Sequence, residues 1–309
     1  MILCVNLNPC VDKTLWLERL RMETIQTAGR VTITVGGKAN NVARVLGAFG
    51  RRAVAMNFFG GETGRLCERL LQEDDGLAAE TVWTKSPTRE IITIYEVETK
   101  RHTDVKEPSP VILPGERDAF IERYEAVLPS AEWVVFGGSA PCPCVDDLPA
   151  ILCRMAVKRG IPFVLDTSGT ALALAIEERP FMAKPNRAEA EALLGYPLVD
   201  ARHELAALDH FSEKAALALL SLGDKGFLAA YEGARYRVRP PKVEAINSVG
   251  SGDALVAAVI MGLVDKMPFE KTLAFAAAAA AANAASPLAC KIKPADVSPL
   301  IGAAIVEPL

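Results

Sequence analysis

Residues 247–263 read NSVGSGDALVAAVIMGL, which sets Gly250, Ser251, Gly252 and Asp253 directly before an apolar run. The run over 254–264 predicts a buried helix, so this turn lies at a helix N-terminus. Amides in a first helical turn lack intrahelical acceptors and face an anion readily. Glycine lets the backbone approach a ligand closely or take a positive φ. Asp253 then either caps the helix or stands where a phosphoryl group arrives and accepts the proton of an attacking hydroxyl. Two familiar phosphate motifs fail here. The third glycine of G-x-G-x-x-G is replaced by Leu255, and Thr32 stands where G-x-x-x-x-G-K-[ST] needs its first glycine, ahead of Gly37 and Lys38.

The elements that must position this turn follow from the rest of the chain. Its 309 residues can bury a large core, and 50% apolar with 23% charged residues describe a globular enzyme rather than a disordered chain. The net charge is −4 and the 34 Lys and Arg are scattered, which excludes a nucleic-acid footprint. The first ten residues, MILCVNLNPC, lack a basic leader, and the longest apolar runs are too short to span a membrane, so a cytoplasmic protein is expected. The seven cysteines, irregularly placed, describe no disulfide framework. Cys142 and Cys144 read as incidental thiols, and the three histidines form no metal pattern.

Strand-length apolar runs alternate with helical spacing. Strands are predicted at MILCVNL, RAVAMNFF, EWVVF, PFVLD and FMAK, and helices over 39–49, 148–159, 171–177 and 187–194. This is the rhythm of a parallel sheet with helices on both faces. RVTITV at 30–35 and REIITIYEV at 89–97 interrupt it and suit a small separate β-sheet, a lid contributed by about 12–35 and 87–106. The segments KGFLAAYEG and ARYRVRP predict a hairpin, followed by helices to the end, one of them rich in alanine over 274–286. No repeat or long linker divides the chain, so a single domain over 1–309 is expected.

Seven pieces, in order, carry a resemblance: LNPCVD, GGKANNVARVL, PTR at 87–89, GGSAP at 137–141, KPNRAE, SLGDKG and SVGSGD. With them the chain resembles the ribokinase-like sugar kinases of the phosphofructokinase B family, on the branch of 1-phosphofructokinase and tagatose-6-phosphate kinase. The resemblance implies a three-layer ribokinase-like α/β fold with a small β-sheet lid. It implies that Asp253 is the catalytic base and that the amides of Gly250, Ser251, Gly252 and Asp253 surround the transferred phosphoryl group. It also implies a sugar site of Asp12, Gly36, Gly37, Asn41 and Ser139. Lys38 and Arg89 would hold the phosphate that the substrate brings with it, the cationic work such a group requires. On the nucleotide side it implies Lys184 and Asn186, Ser221, Gly223 and Gly226 of the loop along the nucleotide, and Asn283 beside the adenine. Glu189 would act on Mg²⁺ through water, as that ion keeps several of its own waters.

Three departures stand out. GKGIN of the family reads GKANN here, so Ala39 and Asn40 lie beside the expected sugar site; GSLP reads GSAP; and Ala254 follows the aspartate in place of serine. The expected activity is ATP-dependent, Mg²⁺-requiring phosphorylation of a primary hydroxyl of a ketohexose phosphate, fructose 1-phosphate first and tagatose 6-phosphate next. A kinase of an unphosphorylated sugar or nucleoside, and a sugar-binding regulatory protein without turnover, are the alternatives. The exposed lid is expected to pair with that of a second copy in a homodimer.

Overall fold

The computed structural model describes residues 1–309. In chain order the first half holds β1 (Ile2–Asn6), β2 (Cys10–Leu17), β3 (Arg30–Gly36), α1 (Lys38–Ala48), β4 (Ala53–Gly60), α2 (Gly61–Glu73), β5 (Ala78–Thr84), β6 (Arg89–Glu96), β7 (Arg101–Lys106) and α3 (Pro114–Val127). Then follow β8 (Trp133–Gly137), α4 (Leu148–Lys158), β9 (Phe163–Asp166), α5 (Gly169–Ala175), β10 (Met182–Ala183), α6 (Arg187–Leu194), α7 (Ala201–Ser212), β11 (Leu217–Ser221), β12 (Phe227–Tyr231) and β13 (Ala234–Arg239). The chain closes with α8 (Ser251–Val264), α9 (Phe269–Ala284), α10 (Pro294–Val297) and β14 (Ile305–Pro308).

Ten strands form one sheet in the order β14-β13-β12-β11-β10-β9-β8-β1-β4-β5. The seven from β11 to β5 are parallel, and β12, β13 and β14 add an antiparallel edge. Strand alternation sends side chains to two cores. Ile2 and Cys4 of β1 face α1, α8 and α9, while Leu3 and Val5 face α3, α4, α5 and α7. Both faces are thus covered, and the layers number three. The order reverses at β1, whose neighbours are β4 and β8. A crevice opens at such a reversal beyond the carboxyl ends of the strands, and ligands bind there.

The smaller sheet has the order β3-β2-β6-β7, with β2 and β6 parallel and the other pairs antiparallel. Its alternation is two-sided. Asp12, Thr14 and Trp16 share one face with Thr34, Thr93 and Asp104, whereas Leu15, Val31, Ile33, Ile92, Ile94 and Val105 share the other. Of these, Val31 is 48%, Ile33 39% and Val105 56% exposed.

Several elements differ from the sequence expectation. The C-terminus is not helical throughout: β14 pairs with β13, whose outer edge would otherwise stand open. Helices α2 and α3 and strand β5 extend the predicted series. Cys142 and Cys144 are disulfide-bonded rather than incidental thiols, because the turn at Pro143–Val145 brings their Cα atoms to 5.4 Å, within bridging reach. The predicted hairpin forms through Glu232 and Gly233, both at positive φ. The alanine-rich helix packs on α8 so closely that a Cβ on Gly262 would lie 2.5 Å from Thr272. No helix is long and apolar enough to cross a membrane.

Candidate active site

The residues flagged by type and spacing gather at the carboxyl edge of the parallel strands. Asp253, the third residue of α8, is buried at 6% exposure, and its Oδ2 accepts a 2.7 Å hydrogen bond from Asn41 Nδ2. Burial and the charge of Asp166 push the Asp253 carboxyl up to about 6, against the pull of Lys38, Asn41 and Lys184. Its side chain makes no capping bond, so the helix-cap reading has no support in the geometry.

The turn itself is tighter than expected. Gly250 adopts φ 85° as the residue before α8, and a Cβ there would meet Cys290 Sγ at 2.8 Å. The amides of Ser251 and Asp253 donate to Ser248 O and Gly250 O, so two of the four amides expected to surround a phosphoryl group are already engaged. Such i→i−3 bonds are common in a first helical turn. The amides of Gly250 and Gly252 have no backbone acceptor. Lys184 lies directly over Gly252, where a Cβ would stand 3.2 Å from its Nζ. A buried ammonium therefore lies over Gly252 at a helix N-terminus where two amides lack a backbone acceptor.

Sequence reasoning missed the residue at the centre of this charge arrangement. Asp166 ends β9 at 1% exposure and pairs with both lysines, Lys38 Nζ at 2.8 Å and Lys184 Nζ at 3.1 Å. Burial alone would raise its pKa, but Lys184 and Lys38 hold the carboxyl below the usual range. Lys38 also meets Glu189 Oε1 at 2.7 Å. Burial would lower the Lys38 pKa, yet Asp166 and Glu189 outweigh it and keep the ammonium charged well beyond neutral pH. The available signal was an aspartate closing the apolar run PFVLD at the carboxyl end of a parallel strand.

Asn186 and Glu189 form a capping box on α6: Glu189 N donates to Asn186 Oδ1 and Asn186 N to Glu189 Oε2, each at 2.9 Å. With Lys38 on Oε1, both oxygens of Glu189 are engaged. The cation between Asp166 and Glu189 is the Lys38 ammonium itself, so a metal ion here would reach these carboxylates through its own waters.

The sugar-side candidates form a second group. Gly37, at φ 117°, lies against Asn6, whose Nδ2 a Cβ would approach to 2.1 Å, and Gly36 faces Cys10 Sγ and Asp12. Neither position admits a side chain. Burial and Asp104 push Asp12 up to about 6, opposed by Arg44 and Lys106. Arg89 Nη2 donates to Asn8 O at 3.2 Å, and its buried Nε has no partner. Asn8 Nδ2 reaches Ser109 Oγ at 2.9 Å and Ser139 Oγ at 3.2 Å. Lys38 and Arg89, expected on one phosphate, share no partner: Lys38 belongs to Asp166 and Glu189, and Arg89 to the Asn8 and Ser139 group. Asn40 is fully buried and donates to Gly36 O at 3.1 Å, so this departure acts on the glycine turn from beneath.

On the nucleotide side, Ser221 ends β11 and pairs with Asn186, and the loop after it closes through Leu222 N to Gly226 O. Gly223 and Gly226 both take positive φ, and a Cβ on Gly226 would lie 2.0 Å from Val238 O. Asn283 is placed differently from the expectation. It is 0% exposed, and its polar atoms are spent on Val249 O, Ser251 Oγ and Cys290 N, so it fastens the Gly250 turn rather than facing a base. A cleft of about 180 Å³ separates the polar face of the small sheet from 246–249 and 287–289, with Asp12, Thr34 and Asp104 on its wall. A larger hollow of about 560 Å³ lies at the opposite, amino edge of the strands around Phe163 and Phe181, and it contains none of the candidate residues.

Solved structures resemble this arrangement over the whole chain. Phosphofructokinase-2 from Escherichia coli, in its tetrameric inhibited form, superposes with a TM-score of 0.88 at 26% identity, covering 97% of this chain and 98% of that one. The same enzyme in complex with fructose-6-phosphate gives 0.86 at 25% identity over 97% and 98%. A Thermotoga maritima protein described as a possible 1-phosphofructokinase gives 0.91 at 23% identity, covering 100% and 99%. At that identity the likeness speaks for the ribokinase-like fold alone. The sequence itself matches the pfkB family carbohydrate kinase over residues 4–296, and the chain belongs to that family.

Proposed function

We propose that this protein is an ATP-dependent kinase that phosphorylates a primary hydroxyl of a ketohexose phosphate, with fructose 1-phosphate the preferred substrate and tagatose 6-phosphate the next. The observation that carries the reading is the geometry around Asp253: a buried carboxylate held by Asn41, beside a helix N-terminus with two free amides and the Lys184 ammonium. Phosphoryl transfer asks mainly for positioning, charge stabilisation and a proton acceptor. In our reading the acceptor hydroxyl attacks the γ-phosphorus, its proton passes to Asp253, and the bond to the nucleotide's bridging oxygen breaks. Lys184 and the amides of Gly250 and Gly252 stabilise the charge spread over the phosphoryl oxygens.

Arg89 supports a phosphorylated sugar. Its Nη2 donates to Asn8 O while the buried Nε has no partner, and such a charge-assisted donor is one that an anionic substituent would satisfy. Lys38 would have to leave Asp166 and Glu189 to reach the substrate's own phosphate, so that contact is assigned to Arg89 alone. Glu189, with Asp166 beside it, would act on Mg²⁺ through the ion's own waters, because Lys38 and Asn186 N already occupy the two Glu189 oxygens. Bound there, Mg²⁺ would neutralise charge on the nucleotide phosphates. The chain acts as one domain, with the small sheet as a lid whose apolar face pairs with that of a second copy. ADP release measured against fructose 1-phosphate, fructose 6-phosphate, tagatose 6-phosphate and their unphosphorylated sugars tests the reading. Brisk turnover of a free sugar, or none of any sugar, would overturn it.

A further inference from the structure

Behind Asn41 stands a buried arginine that the reaction as described does not use. Arg44, one helical turn further along α1, donates from Nη1 to Asn41 Oδ1 at 2.6 Å, and Asn41 in turn donates from Nδ2 to Asp253 Oδ2 at 2.7 Å. Three other acceptors fix the guanidinium: Asp75 Oδ2 at 2.9 Å from Nε, Val35 O at 2.7 Å from Nη2 and Ala289 O at 3.5 Å from Nη1. They come from three separate segments, the end of β3, the turn after α2 and the loop after α9. Asp75 is itself paired with Lys291. The side chains of Arg44 and Asp75 are each only 3% exposed.

We propose that Arg44 is a positioning residue for proton transfer, holding the Asn41 amide in the one orientation that donates to Asp253. An asparagine amide has an accepting end and a donating end, and arginine can only donate. Arg44 therefore claims Oδ1 and leaves Nδ2 for the carboxylate. A reversed amide would set its N–H groups against the guanidinium and its oxygen against Asp253, two unfavourable contacts at once. With Oδ2 occupied, Oδ1 is the Asp253 oxygen left for the acceptor hydroxyl. The planar fork matters as much as the charge, because a lysine ammonium cannot span Asp75, Val35 O and Asn41 together. Arg44 touches neither Asp253 nor the space above it, so its effect passes through Asn41.

The inference rests on Asp253 being the base of the proposed kinase. Its test is a double-mutant cycle of Arg44→Lys and Asn41→Ala, read in kcat, KM and the acid limb of the pH profile. The groups facing Asp253 are Lys38 and Asn41 of α1, Asp166 of β9, Lys184 and Cys290; those around Arg44 are Asp12, Asp75, Cys290 and, through Asp75, Lys291. None of these is altered by Arg44→Lys, and Asp75 keeps Lys291. We expect kcat to fall about 10- to 100-fold with both KM values within about twofold. The acid limb should move up by roughly one unit as the donor to the carboxylate is lost. In the Asn41→Ala background the same change should add less than about twofold and leave the limb in place. Equal factors in both backgrounds would overturn the proposal. Should Arg44→Lys fail to fold, Arg44→Gln carries the same comparison. Titration of Asp253 by carboxylate NMR, assigned by its loss in Asp253→Asn, needs no substrate. An upward shift in Arg44→Lys supports the positioning role even if no sugar phosphate turns over, and an unmoved titration refutes it whatever the activity.

Discussion

Replacing Asp253 by asparagine should make the protein far slower and more stable, and both effects come from removing one buried carboxylate. Folding moves this carboxyl from 3.8 to about 6, chiefly through burial and the nearby charge of Asp166. A carboxyl whose pKa rises on folding binds its proton more tightly in the native state, so native stability falls as pH climbs from about 4 to 6. Above pH 6 the full cost is present. Two units at about 1.36 kcal/mol each come to about 3 kcal/mol at pH 7.5. The neutral amide has nearly the same shape, keeps an oxygen for Asn41 Nδ2 and escapes that cost. We expect Asp253→Asn to raise unfolding free energy by about 1 to 3 kcal/mol at pH 7.5, an advantage that fades toward pH 4. Urea unfolding at the two pH values measures it, provided the m value is unchanged. In the same variant kcat should drop by about 10²- to 10⁴-fold, the usual worth of a positioned base. The wild-type acid limb should lie near pH 6. A variant less stable than wild type at both pH values would refute the argument, and full turnover would remove Asp253 from proton transfer.

Arg89→Ala should raise KM for the sugar phosphate by roughly 10- to 100-fold, since charge-assisted hydrogen bonds are worth about 1.5 to 3 kcal/mol each; KM for ATP should hardly change, and an equal rise in both would sink the assignment. Gly226→Ala should cost about 2 kcal/mol or more, because its φ of 91° and the 2.0 Å approach to Val238 O leave no room for a methyl group; thermal unfolding checks this, and an unchanged midpoint would contradict it. Ile33→Asp, on the apolar face of the small sheet, should convert a dimer to a monomer by light scattering at micromolar concentration, whereas a wild-type monomer would refute pairing through that face.

The fold was legible where each element declares itself locally. Alternating strand-length and helix-length apolar runs are enough to announce a parallel sheet covered on both sides, because each run must bury one face within its own length. β14 was not legible for the opposite reason. IVEP is too short and too polar to be recognised as a strand, and only the open edge of β13, laid down nearly seventy residues earlier, makes it one. The disulfide is similar, since its closure depends on the turn at Pro143–Val145 and not on the spacing of the cysteines alone.

In the site, the positions that glycine must occupy could be read from the chain, as the constraint is on the backbone itself. Gly37, Gly226 and Gly250 all take positive φ against close neighbours. Charge was harder to read. Lys38, seen in sequence, is a cation free to hold whatever anion a substrate carries. In the folded protein it belongs to Asp166 and Glu189, 128 and 151 residues away. Nothing local to GGKANN marks that pairing, and Asp166 reads as the polar end of an apolar strand until β9 and β10 are set beside each other. The cost of burying a carboxylate then requires the lysines to gather around it, because an unpaired charge at that depth would not be tolerated. Asn283 shows the same limit from the other side. A polar residue in an alanine-rich helix suggests a ligand, yet a fully buried amide must find its partners inside the protein, and Val249 O, Ser251 Oγ and Cys290 N supply all of them. A polar side chain whose partners lie far away in sequence therefore has its role decided by what the fold leaves unsatisfied around it. By that measure the two cations differ: Lys38 has Asp166 and Glu189 as partners, whereas the buried Nε of Arg89 has none, which is why the proposed phosphate contact is assigned to Arg89.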